Sequence, residues 1–288
     1  GHYALDATAD NAQTGTIAIG HQALTSLTSG AGNTAVGYQA GKAIVTSEGN
    51  TAIGYNALLI NVANDNVAVG KNALLDFKDG GQNVAVGKGA LGGDQTGSTA
   101  DNSAGNVAVG TNAMVGTWYN ALTSNCVAIG GSTLAGALNA VTGTVAIGHS
   151  ALNALTSGAS NLAIGYQAAD AITSGGYSIC IGESAGGALT GSGSNSNIAI
   201  GYQALTAATT NAEKNVAIGN QAMYGAWSTA AVDECVAVGY GSMKGVLTAD
   251  AIGTVAIGSN ALTALTSGAG NVAVGYQSGL TMTTGSRN

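Results

Sequence analysis

Proline is absent from the 288 residues, phenylalanine occurs once (Phe77), and charged residues make up 7%. A typical soluble domain is about 25% charged. The lone phenylalanine excludes a conventional core of large side chains. The seven Lys and Arg against fourteen Asp and Glu leave a net charge of −7, with no basic cluster. That excludes nucleic-acid and anionic-membrane partners, which require such clusters. No apolar run reaches the roughly 18 residues of a membrane span, so this segment does not insert into a membrane. Disorder is excluded by what is present: 45% hydrophobic residues, with valine or isoleucine at fixed intervals.

Glycine is abundant, at 47 residues, and its positions reveal a repeat. Asn66-Val67-Ala68-Val69-Gly70 recurs at Asn83–Gly87 and Asn106–Gly110. Fifteen such blocks follow one another from Gly20 to Gly275, at intervals of 16 to 23 residues, 17 being commonest. The residue before each closing glycine is always Val or Ile; the one before that is Ala, except at Cys180. Three residues after the glycine comes Ala in twelve of fifteen copies, with Thr133, Ser242 and Ser278 in the others. Leu or Met usually follows, and a Gly-, Ser-, Thr- and Asn-rich turn completes the unit.

Alternation makes the block a strand, with Val67 and Val69 on one face and Asn66, Ala68 and Gly70 on the other. A second short strand is expected over Asn72 to Leu74. Each unit is then one coil of an all-β parallel β-solenoid. Coils stacked at about 4.8 Å give a rod of about 70 Å for fifteen. Repeats span residues 15–279, with a lead-in at 1–14 and a tail at 280–288. The branched residues suit a buried surface. The alanine and glycine column on the opposite face suits close approach of another backbone, which predicts a homotrimer packed through alanine. The alternative places alanine inside a narrow monomeric solenoid. The Asn column that opens most blocks suits hydrogen bonding from coil to coil. A longer period is also present: the two coils from Asn106 match those from Asn215, 109 residues on, as expected of a duplicated spacer.

The Asn33–Ala40 and Asn161–Ala168 blocks, and the Val-Ala-Ile-Gly motif throughout, resemble the head repeats of trimeric autotransporter adhesins and phage tail fibres. The resemblance covers about residues 15 to 279. It implies a left-handed, homotrimeric β-roll, extracellular or on a virion tail, that attaches to a host cell or surface. The coils are longer than those usual in adhesin heads, and no coiled-coil stalk or membrane anchor is visible.

Candidate chemistry is sparse. His21 and His149 share a column that also holds Tyr, Lys, Thr, Asn, Gly, Glu and Ser, which marks a surface position rather than a catalytic one. Cys126, Cys180 and Cys235 lie about three coils or more apart, too far for a disulfide within one chain. They are expected to be small buried residues or contacts between symmetry mates. Neither a metal-ligand spacing of Cys and His nor a cofactor motif occurs. Asp65, Asp76, Asp79, Asp94 and Asp101 sit in turns as a solvated edge and lack the calcium-roll nonapeptide. Trp118 with Tyr119, and Tyr224 with Trp227, occupy turns of equivalent long coils. Exposed rings there can stack on a cell-surface glycan or protein receptor, or they pack over neighbouring coils. The tyrosines that follow the glycines form a further row. The expected activity is adhesive and not enzymatic. The alternatives are a spacer without a ligand and a hexapeptide-type β-helix acyltransferase, which Ile19–Leu24 fits for only one hexapeptide per coil.

Overall fold

The computed structural model describes residues 1–7, 13–76, 78–93, 102–118, 122–189, 195–206, 212–225, 232–247 and 251–288. The chain forms two compact units, Gly1–Thr144 and Val145–Asn288. The first carries seven strands among its described residues: β1 (Ile17–Ile19), β2 (Thr34–Val36), β3 (Thr51–Ile53), β4 (Val67–Val69), β5 (Val84–Val86), β6 (Val107–Val109) and β7 (Val127–Ile129). The second carries eight: β8 (Val145–Ile147), β9 (Leu162–Ile164), β10 (Ile179–Ile181), β11 (Ile198–Ile200), β12 (Val216–Ile218), β13 (Val236–Val238), β14 (Val255–Ile257) and β15 (Val272–Val274). Within each unit successive strands pair in parallel and in register, so Ala68 stacks on Ala85 and Ala199 on Ala217. Both units are therefore parallel β-solenoids with one strand per repeat.

The alternation read from the sequence holds, but its direction is the reverse of the one expected. Ala68 is fully buried, while Val67 and Val69 on either side are half-exposed. The same pattern recurs in β5, β6, β8 and β11. Alanine lines the interior of each coil, and the branched residues form its outer face. The expected trimer contact through alanine is thereby overturned. The coil is too narrow for two ranks of branched side chains, and Leu and Met from the turns fill the remaining space.

The expected second strand is also absent. Ala73 and Leu74 are adjacent and both fully buried, which a strand cannot arrange because neighbours alternate faces. A left-handed backbone at Asn72 (φ 58°) and Leu74 (φ 49°) turns both inward. This conformation costs a non-glycine residue about 1–2 kcal/mol. Bonds to the next coil hold it: Leu74 N–H donates to the Ala90 carbonyl at 2.9 Å. At Gly70 φ is 135°, and an added Cβ would lie 2.5 Å from the Gly87 carbonyl oxygen, so only glycine fits the corner.

The lead-in and tail continue the pattern. Gly1-His2-Tyr3-Ala4-Leu5 repeats the turn of Gly20-His21-Gln22-Ala23-Leu24, and the His2 carbonyl accepts from Gln22 N–H at 3.0 Å. Asn288 takes its place in the Asn column, its N–H donating to Asn271 Oδ1 at 3.2 Å.

Candidate functional surface

Three columns run from coil to coil. The asparagine column is structural, as expected. Asn106 is fully buried; its Oδ1 accepts from Cys126 N–H at 3.1 Å, and its Nδ2 donates to the Thr123 carbonyl at 2.9 Å. Asn83 and Asn215 make the same pair of bonds, to Asn106 and Ser103 and to Cys235 and Val232. Each side chain thus satisfies one donor and one acceptor of the next coil, and its full burial closes it to a ligand.

The outer face of the strands forms the second column. It consists almost wholly of Val, Ile and Leu, with Ile53 and Ile129 both 39% exposed even though each lies between neighbouring coils or at a unit's last strand. Within each unit, two apolar ranks per coil make a continuous patch of the kind that marks an interaction surface.

The third column follows the corner glycine. In the first unit it reads His2, His21, Tyr38, Tyr55, Lys71, Lys88, Thr111, Gly131. The rings stack nearly parallel: His2 on His21 at 5.9 Å, His21 on Tyr38 at 5.3 Å and Tyr38 on Tyr55 at 5.0 Å between centroids. Lys71 Nζ lies 5.6 Å over the Tyr55 ring. Beside them Gln39 Nε2 donates to Gln22 Oε1 at 2.7 Å. In the second unit the column begins with His149 on Tyr166 at 5.6 Å, but Glu183 and Asn220 interrupt its aromatic run. The stacking was latent in the sequence: rings about 17 residues apart in one column of a solenoid must meet.

Of the ring residues singled out above, Trp118 is buried, at 1% exposure, so it packs within the coils and offers no open face. Tyr224 is half-buried under Lys244, whose Nζ lies 5.4 Å over the ring and donates to Gln221 Oε1 at 2.7 Å. Tyr119 and Trp227 lie outside the described residues, as do Phe77, Asp94 and Asp101. Among the described residues, no group of three or more His, Cys, Asp or Glu is placed to hold a metal ion.

All three cysteines are free and buried within their own chain, which removes the reading of them as contacts between symmetry mates. Burial pushes the Cys180 thiol from its ordinary 9.0 up to about 12, and those of Cys126 and Cys235 to about 11. The folded chain thus keeps three protons that the unfolded chain releases near pH 9. The thiol contribution to stability is constant below about pH 9 and falls as pH rises towards 11 and 12. Two results are expected: a thiol reagent labels no cysteine at pH 8 until denaturant is added, and alkaline unfolding is delayed in a C126S/C180A/C235S variant.

Cys180 stands in the alanine column, and the chain compensates for its extra volume. The Leu position of that coil is Gly186, where an added Cβ would lie 2.5 Å from Cys180 Sγ. Gly186→Ala is expected to destabilise by about 1–3 kcal/mol through overpacking. Cys180→Ala in the same chain is expected to remove the part of that loss due to the sulfur contact, but not the left-handed strain at φ 64°, in a double-mutant cycle by urea unfolding.

No protein-family model, curated protein or solved structure matches the chain. Function rests on the surface alone.

Proposed function

We propose that this chain is a segment of a homotrimeric fibre, of the surface-adhesin or tail-fibre kind, that works outside the cell in attachment to a host cell or surface. The supporting observation is the outward face of Val and Ile in both units. Apolar side chains ranked along a whole sheet face are driven out of water. Within a unit, copies arranged about an axis parallel to its stacking direction cover that face on every chain at once, and closed symmetry leaves none of it open. The number three is carried by the resemblance to adhesin heads and tail fibres. The left-handed coil of those repeats belongs to the same reading.

Attachment then works by multivalency, because each weak site is presented three times on one assembly. The partner is a cell-surface glycan or protein. The net charge of −7 disfavours nucleic acid. A fibre segment that only spaces other parts is the second reading, favoured by the burial of Trp118. Adhesion of the labelled full chain to host cells and to a glycan array distinguishes the two. Saturable binding that weakens at least tenfold when the trimer is broken supports attachment, and no binding to any surface supports the spacer.

A further inference from the structure

The run of rings in the first unit's column ends in two of the chain's seven cationic residues. Lys71 and Lys88 occupy neighbouring coils directly after Tyr55, and both are exposed. They follow four stacked rings, of which Tyr38 is 41% and Tyr55 49% exposed. The sequence places no acidic residue in this column between His2 and Lys88. On a chain of net charge −7 this is a local reversal of sign beside an aromatic row.

We infer that the column from His21 to Lys88 is a binding track for a linear oligosaccharide bearing a single anionic group at one end. This rests on the attachment reading and names the ligand class for it. Stacked rings cover one another's faces and leave the exposed parts of Tyr38 and Tyr55 to a polyhydroxylated partner. The Gln22 and Gln39 amides run alongside. The rise per coil, about 4.8 Å, is close to the advance of one sugar ring in an extended chain. A peptide strand advances about 3.3 Å per residue and falls out of step. The anionic end belongs over Lys71, whose ammonium the Tyr55 ring holds at 5.6 Å by a cation–π contact, with Lys88 one coil on. Two cations on a net-negative body suit one carboxylate or sulfate. A polyanion meets repulsion from the rest of the surface.

Titration calorimetry of the full chain with 3′-sialyllactose, lactose and a heparin-derived tetrasaccharide tests this. The expected result is saturable binding of sialyllactose, with lactose at least tenfold weaker. K71Q/K88Q abolishes the difference between the two sugars. Y38S/Y55S weakens both tenfold or more. All four side chains are exposed, so unchanged thermal unfolding is expected in each variant. Equal affinity for sialyllactose and lactose, indifference to the substitutions, or tightest binding of the heparin fragment would overturn the inference. If a Y38S/Y55S/K71Q/K88Q variant still adheres to host cells as the parent does, attachment stands and the track is not its site. If the parent adheres to nothing yet binds sialyllactose, the track stands and the attachment reading fails.

Discussion

Replacing Val86 and Val109 by lysine is expected to convert the proposed trimer to a folded monomer. Both residues end strands of the first unit and point outward, half-exposed in the single chain. In a monomer each new ammonium reaches water, so the coil keeps its interior and the thermal unfolding temperature moves by only a few degrees. In a trimer each variant buries six ammonium groups about one axis. The effective penalty is several kcal/mol per ion, more than an interface of this kind can offset. The expected readout is a fall in solution mass from three chains to one with an unchanged far-ultraviolet spectrum. The opposite face gives the opposite result. Ala108 is fully buried within its coil, so Ala108→Leu overpacks the interior and lowers stability by about 1–3 kcal/mol. If alanine were the face between chains, the roles would exchange: the leucine variant would dissociate and the lysine variant would unfold.

Asn106→Leu is expected to destabilise the first unit by about 2–5 kcal/mol. The leucine leaves the Cys126 N–H and the Thr123 carbonyl buried and unpartnered, at about 1–3 kcal/mol each. These are bonds of 3.1 and 2.9 Å in the native chain. The column tolerates Thr144, Ser178 and Cys235 elsewhere, so a small residue fits the space. Asn106→Thr is accordingly expected to lose less than Asn106→Leu. Hydrogen exchange at the Cys126 amide reads the effect locally, with protection falling by two to three orders of magnitude in the leucine variant.

The repeat, the strand and the in-register stacking were legible because each depends on spacing alone. Which face of the strand turned inward was not. Alternation of Val67, Ala68 and Val69 defines two faces without assigning a sign, and branched residues suit a buried sheet face as readily as an outer one. The sign was set elsewhere, by Ala73 and Leu74. Their adjacent burial requires a left-handed corner, and a corner that points two neighbours inward leaves room opposite only for alanine. The preference of leucine for right-handed backbone hid this, since the bonds that hold Leu74 at φ 49° belong to the next coil. Cys180 carried a partial hint: the coil in which the alanine column gains a sulfur has Gly186 in place of leucine, as expected of two positions sharing an interior, but Gly41 and Gly279 stand at the same position in coils whose column keeps alanine. The ring column was visible as a repeat column holding His, Tyr and Lys, but the ring-on-ring stacking and the cation over Tyr55 needed the register. At Trp118 the packing alternative holds: a large ring in a long turn fits either reading until the coil closes over it.

The claim that the Val and Ile face joins three copies is tested most directly by sedimentation equilibrium of the unmodified chain at micromolar concentration. The expected mass is three times the 27.6 kDa of one chain, falling to 27.6 kDa in the V86K/V109K variant. A mass of one chain for the unmodified protein, with its Val and Ile ranks open to water, would contradict the account.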